Sequence, residues 1–259
     1  MSKKAKVKNW IEFFKSNPKD IPFSDVDVLD DEGQTMLMGA ASTSDADIIR
    51  RIIDAGADVN SICDDGDTAL QLAACFNKNS AIVELLLKAG ANVKIKNKYG
   101  ETALMRAASN NKDFSIVESL VNAGADIEEK DDDGRTVLMR AVSYNKNPLV
   151  IEKLLSLGAD IEARDNEGLT ALMYAARYNE NPTVIETLLK AGADTEARDN
   201  DYGWTVLMWA VGSNHENSAV VEALLKAGAD VDASSYSGDT DVHRLAEQNG
   251  YSEILLKSL

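Results

Sequence analysis

The stretch GLTALMYAARYNENPTVIETLLKAGADTEARDN, residues 168–200, is one copy of a unit that recurs along the chain. Its two apolar segments are separated by Asn-Glu-Asn-Pro, and the second segment ends in Gly-Ala at Gly192. Every copy opens with Gly-x-Thr, and the opening glycines lie 33–35 residues apart, at Gly33, Gly66, Gly100, Gly134, Gly168, Gly203 and Gly238. A period of this length predicts an array of stacked repeats instead of one or two ordinary globular domains.

The residues of this unit resemble the ankyrin repeat family. GLTALMYAA is similar to the family's Gly-x-Thr-Pro-Leu-His-x-Ala-Ala, LLKAGADTEARDN is similar to the second half of its repeat, and seven copies span roughly residues 25–259. The resemblance implies an all-α ankyrin-repeat solenoid, in which stacked helix-turn-helix pairs are joined by projecting hairpin loops. The chain lacks the family's Pro after Thr, and Met replaces the family's His at Met38, Met105, Met139, Met173 and Met208. His243 keeps that His, and we expect it to bond to loop backbone.

The resemblance also implies how the chain is organised. We expect one continuous solenoid domain, with residues 1–32 forming an N-terminal tail and half-repeat cap, residues 33–237 forming six ankyrin repeats, and residues 238–259 forming a C-terminal capping repeat. In the cap, NWIEFF is similar to an isolated second helix, and the first eight residues are expected to be a solubilising tail. End units that differ from the middle are what a stack needs where no neighbour covers it.

The break inside each repeat predicts how the first helix ends and the second begins. The family usually places Gly where the first helix ends in a left-handed conformation, and Asn is the next-best residue there. Left-handed backbone is therefore expected at Asn77, Asn111, Asn145 and Asn179. Two residues later, side chains that cap the second helix are expected at Asp45, Asn79, Asp113, Asn147, Asn181 and Asn217. Pro148 and Pro182 then occupy the first helical position, where a missing N–H costs nothing.

The charge of the chain narrows the class of partner. Forty-three acidic residues against 27 basic ones give a formal net charge of −16, which argues against a general attraction to nucleic acid or anionic lipid. The N-terminal stretch lacks an apolar segment of signal-peptide length, and no later stretch approaches the roughly 18 apolar residues of a membrane span. We expect a soluble, cytoplasmic protein. Cys63 and Cys75 are expected to be free thiols, whereas a disulfide would indicate an oxidising compartment.

No catalytic residue, metal site or cofactor is expected. In DDDG, residues 131–134, aligning the acids with a calcium loop puts Arg140 where the bidentate Glu must be. These acids are assigned instead to solvated loop tips and turns. His215 and His243 have no Ser or Cys motif beside them, and the chain contains neither Gly-x-x-x-x-Gly-Lys-Ser/Thr nor Cys-x-x-Cys. The sequence therefore predicts a protein that is not an enzyme.

The predicted binding surface lies on the first helices. The residue before the small pair and the residue four positions later share a helix face, and in the ankyrin family that face lines the concave groove. On this face the partner-binding residues are predicted to be Phe76, Arg106, Arg140, Tyr144, Tyr174, Tyr178 and Trp209. Adjacent loops add Arg135, Tyr202 and Trp204. Tyr, Trp and Arg dominate binding hot spots, although aromatic residues that pack between neighbouring repeats would produce the same pattern.

Two one-residue insertions flank Trp204 and Trp209. The first lengthens the loop DNDYGWT, and the second lengthens the connection GSNHENSAV between two helices. Loops accept such changes at low cost, so neutral drift and a reshaped ligand pocket both explain the insertions.

These features predict a non-catalytic, monomeric protein that binds a protein partner through its concave first-helix face and its loop tips. Neither nucleic acid nor a membrane is an expected partner. The alternative is an acidic inhibitory mimic, an immunity-type protein that blocks a basic enzyme or a nucleic-acid-binding site. A third interpretation is an enzyme or small-molecule binder near Trp204. The resemblance identifies the scaffold and leaves the target open.

Overall fold

The computed structural model describes residues 9–16, 26, 28–43, 45–213 and 218–256, and the chain divides into two compact units. The described part of the first unit, Met1–Asp126, contains α1 (Trp10–Ser16), α2 (Met36–Thr43), α3 (Ala46–Asp54), α4 (Ala69–Phe76), α5 (Ser80–Lys88), α6 (Ala103–Asn110) and α7 (Phe114–Asn122). That of the second unit, Ile127–Leu259, contains α8 (Val137–Tyr144), α9 (Pro148–Ser156), α10 (Ala171–Tyr178), α11 (Pro182–Lys190), α12 (Val206–Gly212), α13 (Ser218–Lys226), α14 (Val242–Asn249) and α15 (Ser252–Leu256). Within these ranges no β-strand forms.

Side-chain caps determine where the helices begin. A threonine hydroxyl accepts a hydrogen bond from the backbone N–H three residues on at Thr68, Thr102, Thr136 and Thr205. The caps predicted for the second helices are confirmed at Asp45, Asn79, Asp113, Asn147 and Asn181. Pro148 and Pro182 occupy the first helical turn, as predicted. The predicted cap Asn217 and the loop residue His215 lie outside the described residues.

The left-handed backbone predicted for the end of the first helices is wrong. The residues concerned are Asn77, Asn111, Asn145 and Asn179, with φ from −83° to −95° and ψ from 122° to 137°. This is extended backbone, and among the described residues only glycines have positive φ. The amide group explains the choice of Asn. Asn179 Nδ2 donates to the carbonyls of Val142 (2.7 Å) and Asn145 (3.1 Å), and its Oδ1 accepts from the N–H of Asn181 (2.9 Å).

The cap of α11 provides a direct test of these helix starts. Asn181 Oδ1 accepts from the N–H of Thr183 at 3.1 Å. Replacing Asn181 with alanine is expected to lower the free energy of unfolding by about 1 kcal/mol, because the cap is lost. Urea unfolding followed by circular dichroism measures the change, with Glu186→Ala on the exposed side of the same helix as the control. An unchanged midpoint for Asn181→Ala would refute the assignment.

Each unit is a solenoid of stacked helix pairs. In the first unit α2, α4 and α6 pack side by side, as do α3, α5 and α7. In the second unit α8, α10, α12 and α14 form one row, and α9, α11, α13 and α15 form the other. Leu172 and Ala175 in α10 and Ile185 and Leu188 in α11 are fully buried. Burial of side chains such as Leu and Ile, worth about 1.5–3 kcal/mol each, stabilises the stack.

Hairpin loops connect successive helix pairs, and basic side chains link the loops of the second unit. The helix before each loop is followed by a glycine with left-handed backbone, such as Gly192 with φ 93°. Residues with a Cβ rarely adopt this conformation. Lys130 Nζ donates to the carbonyl of Arg164 (2.8 Å), Arg164 Nη1 to that of Arg198 (2.6 Å), and Arg198 Nη1 to that of Ser234 (2.7 Å). The bonded residues are 34, 34 and 36 positions apart, so one interaction recurs from loop to loop.

Both ends differ from expectation. The helix α1, predicted as an isolated second helix, packs against the first helix α2. Trp10 lies directly on Gly39, where an added Cβ would come within 2.4 Å of the Trp10 Cβ. His243 Nε2 lies 3.3 Å from the carboxylate of Asp232, so the predicted bond to loop backbone is replaced by one to a side chain. The tail predicted for residues 1–8 lies outside the described residues.

Three further sequence features concern the cysteines, membrane-spanning helices and metal-binding groups. Cys63 and Cys75 are free thiols, as predicted. None of the helices within the described ranges is long and apolar enough to cross a membrane. Over the same ranges, His, Cys, Asp and Glu side chains form no group of three that could hold a metal ion.

Candidate functional site

Buried carboxylates shape the loops of the second unit. Asp165 Oδ1 accepts from the backbone N–H groups of Glu167 (2.9 Å) and Leu169 (2.8 Å), and Asp131 bonds two and four residues ahead in the same way. Asp199, only 1% exposed, accepts from the N–H groups three and four residues ahead in the longer loop. The acids of residues 131–133 were assigned to solvated loop tips and turns, and Asp131 does serve a turn, although it is buried. It is buried because a turn of this kind needs an acceptor on its inner side.

The second oxygen of Asp165 and of Asp199 bonds a side chain of the following first helix. Tyr174 donates its hydroxyl to Asp165 Oδ2 at 2.6 Å, and Trp209 donates Nε1–H to Asp199 Oδ2 at 3.0 Å. Burial and then the bond to Asp165 raise the pKa of Tyr174. Both aromatic side chains therefore have directions set by loop residues that pattern analysis did not identify. The available signal was the acid that recurs 34 residues apart at Asp131, Asp165 and Asp199.

Two predicted arginines of the second unit have acidic neighbours. Arg135 Nε lies 2.8 Å from Asp131 Oδ2 and its Nη2 lies 2.7 Å from Asp133 Oδ2. Burial lowers the pKa of Arg135, but the hydrogen bond and charge of Asp131 outweigh burial, so the pKa is raised overall. Arg140 Nη1 lies 3.9 Å from Asp131 Oδ2, and its guanidinium lies 5.1 Å from the ring centroid of Tyr144. The positive charge of both arginines is thus largely balanced within the protein.

Tyr144 in α8 and Tyr178 in α10 are the predicted first-helix tyrosines that are exposed. Their exposed fractions are 56% and 42%, whereas Tyr174 is only 9% exposed and stacks on Tyr178 with ring centroids 6.0 Å apart. Tyr174 is therefore a buried residue that packs against Tyr178 of its own helix. Beside these rings lies a cleft of about 530 Å³, lined by Asp133, Arg135, Ser143, Tyr144, Asp165, Asn166, Glu167, Tyr174, Arg177 and Tyr178. Its size suits side chains of a peptide.

A row of neighbouring aromatic rings continues from this cleft to the longer loop. We call Tyr202, Trp204, Trp209 and Tyr178, with Arg177 between the last two, the aromatic row. Ring centroids are 6.0 Å apart for Tyr202 and Trp204 and 4.9 Å apart for Trp204 and Trp209. The Arg177 guanidinium lies 4.6 Å from the ring centroid of Trp209 and 4.9 Å from that of Tyr178. Arg177 is not among the residues predicted from the sequence, because it adjoins the predicted helix face without lying on it.

The first unit contains a second candidate site, with fewer of the predicted residues. Phe76 is 56% exposed, and the Arg106 guanidinium lies 5.8 Å from its ring centroid. Arg106 also lies 3.4 Å from a carboxylate oxygen of Asp67 and 3.4 Å from one of Glu101. A cleft of about 530 Å³ adjoins Phe76 and is lined by Cys75, Phe76, Lys78, Asn110, Asn111, Lys112 and Asp113. Of the predicted residues, this unit therefore brings together Phe76 and Arg106, with the arginine held by acids.

Comparison with known proteins agrees with this architecture. The sequence model described as "Ankyrin repeats (3 copies)" matches residues 5–97, 74–165 and 138–235. No curated protein matches the chain significantly. The crystal structure of the human ASB11 ankyrin repeat domain is similar, with a TM-score of 0.76 and 22% sequence identity over 87% of this chain and 98% of that one. At this identity the structural similarity shows the fold alone.

The family match decides the identity, because it covers well over half of the chain. The predicted all-α architecture of paired helices is confirmed by the same match and by the structural similarity. Members of this family are generally non-catalytic, and their repeats typically bind proteins. The chain belongs to the ankyrin repeat family.

Proposed function

We propose that the protein is a non-catalytic binding protein that holds a protein partner on the first-helix face and loop tips of its second unit. The contact residues are Tyr144, Tyr178, Trp209, Trp204 and Tyr202, with Arg177 added to the set predicted from the sequence. Phe76 and Arg106 form a separate candidate contact in the first unit. A stable interface needs about 800 Å² from each partner, which several adjacent repeats can provide.

The aromatic row is the observation that supports this proposal most directly. Its residues are of the types that dominate hot spots, and Tyr202, at one end, is 61% exposed. The row is ordered before a partner binds, because Trp209 is bonded to the buried Asp199 and its ring contacts that of Trp204 at a tilted angle. Side chains that are already ordered lose less conformational entropy on binding, so more of the contact energy appears as affinity.

Removing the two exposed tyrosines tests the proposal. The double variant Tyr144→Ala/Tyr178→Ala is expected to bind the partner more than tenfold more weakly, because two anchor rings are lost while the buried Tyr174 remains. Quantitative mass spectrometry of proteins captured from a lysate of the native host, compared with wild type, measures the effect. The double variant Glu152→Ala/Glu186→Ala, on exposed positions of second helices, is the control. If the tyrosine variant captures the same proteins at the same strength, the proposal is wrong.

The salt dependence of capture separates this proposal from the acidic mimic suggested by the net charge. Anchoring by aromatic rings is expected to weaken little between about 50 and 200 mM salt. A mimic that acts through its negative surface would lose affinity steeply over this interval. Steep loss together with insensitivity to Tyr144→Ala/Tyr178→Ala would favour the mimic.

A further inference from the structure

Arg177 differs from the other arginines of the two candidate sites in its surroundings. Arg106, Arg135 and Arg140 each lie within 4 Å of at least one carboxylate oxygen. For Arg177 no ion pair or hydrogen bond of the guanidinium is found among the residues that the structure describes, and its contacts are the rings of Tyr178 and Trp209. Arg177 is thus a cation without an acidic partner among the described residues, in a chain whose net charge is −16.

The contacts with Tyr178 and Trp209 leave the N–H donors of Arg177 without an acceptor among the described residues. A guanidinium has five N–H donors in its own plane, whereas a ring that stacks on it interacts with its face. Tyr178 and Trp209 lie within 5 Å of the guanidinium and help to orient it, but neither contact is a hydrogen bond to its N–H donors. A carboxylate matches this arrangement, because its two oxygens accept a pair of parallel bonds from a guanidinium.

Two carboxylates and the other arginine of the cleft already have partners within the protein. Asp133 is paired with Arg135 at 2.7 Å, and Asp165 accepts from the hydroxyl of Tyr174 and from two backbone N–H groups. The charges left for a ligand are Arg177 in the cleft wall and the exposed Glu167 in its loop. The exposed rings of Tyr144 and Tyr178 provide apolar surface beside Arg177.

We infer that this cleft binds an acidic peptide segment of the partner protein, with the carboxylate of an Asp or Glu on Arg177 and an adjacent apolar side chain against Tyr144 and Tyr178. This inference rests on the proposed function and specifies the chemistry of its partner. A side-chain carboxylate fits better than a phosphate, because a phosphate carries nearly two negative charges. Arg177 is the single unpaired cation among the described residues of the cleft, and Glu167 would repel the second charge.

Selection from a random library of unmodified displayed peptides tests the inference without a known partner. Wild type is expected to enrich peptides with Asp or Glu at one fixed position next to an apolar residue. Arg177→Gln is expected to lose that preference and to bind a synthetic peptide of the enriched sequence at least tenfold more weakly, by fluorescence anisotropy. Glu167→Gln removes a charge of opposite sign from the same cleft and is expected to keep the acidic preference.

Three results would overturn the inference: no enrichment on wild type, a consensus without an acidic residue, or equal binding of the enriched peptide by Arg177→Gln. Circular dichroism and the urea midpoint of Arg177→Gln, which are expected to match wild type, show that lost binding is not lost folding. The inference and the proposed function fail separately. Capture that depends on Tyr144 and Tyr178, together with a library lacking acidic preference, would reject the acidic segment and leave the binding surface standing.

Discussion

Replacing Asn179 with glycine is expected to lower the free energy of unfolding by about 3 kcal/mol, even though the position resembles one where glycine is favourable. The Asn179 amide makes three hydrogen bonds, to the carbonyls of Val142 and Asn145 and from the N–H of Asn181. Each such bond contributes about 1 kcal/mol, and its loss leaves buried polar groups without a partner. The backbone φ of −95° offers glycine no compensating advantage.

Urea unfolding of Asn179→Gly and Asn179→Ala distinguishes the two explanations of this residue. Because the amide is lost in both, both variants are expected to be destabilised strongly, with glycine slightly worse for its greater backbone freedom. Asn200→Gly, at an exposed loop position, controls for glycine itself. A glycine variant as stable as wild type, beside a destabilised alanine variant, would mean that the residue is there for left-handed backbone.

Replacing Asp199 with alanine is expected to cost about 4 kcal/mol of stability, because four N–H donors lose a buried, charged acceptor at once. These donors belong to the backbone of Tyr202, Gly203 and Trp204 and to the indole of Trp209. The loop and the aromatic row therefore depend on one carboxylate. Loss of the row's order is expected to weaken partner binding along with stability.

Three measurements together test the role of Asp199. Urea unfolding reports the stability, near-ultraviolet circular dichroism reports the packing of Trp204 and Trp209, and lysate capture reports binding. The control is Asp201→Ala, which removes an exposed carboxylate from the same loop and is expected to change none of the three. A stable Asp199→Ala variant with an unaltered tryptophan signal would contradict the bonding described above.

The candidate site was only partly predictable. Helical spacing and the adjacent loops indicated which residues to expect there. Eight of the ten predicted residues lie in the second unit: Arg135, Arg140, Tyr144, Tyr174, Tyr178, Tyr202, Trp204 and Trp209. The roles of these residues did not follow. Tyr144 and Tyr174 occupy different positions of the same helix pattern, yet one is 56% exposed and the other 9%. Tyr174 also bonds to Asp165, whose position depends on the fold of the loop.

Asn179 illustrates the same limit at the level of the backbone. From the sequence, an Asn at the end of a helix is equally compatible with left-handed backbone and with an amide bridge. Its bond to Val142 joins residues 37 positions apart, so a local pattern contains no sign of it. Asn111 makes equivalent bonds to Ala74 and Asn77 in the first unit, which shows that the bridge is a property of the repeat.

By itself the sequence determined the repeat period, the helix pairs and the caps of the second helices, since these depend on residues within a few positions of one another. The tertiary structure alone decided which acids are buried, which tyrosines are exposed, and that Arg177 lies between Tyr178 and Trp209. The contact of Arg177 with Trp209 arises where one repeat stacks on the next, whereas Asp165 and Tyr174 meet where a loop folds against the helix that follows it. Stacking brings together side chains more than thirty residues apart, and which of them meet depends on packing that a periodic pattern does not record.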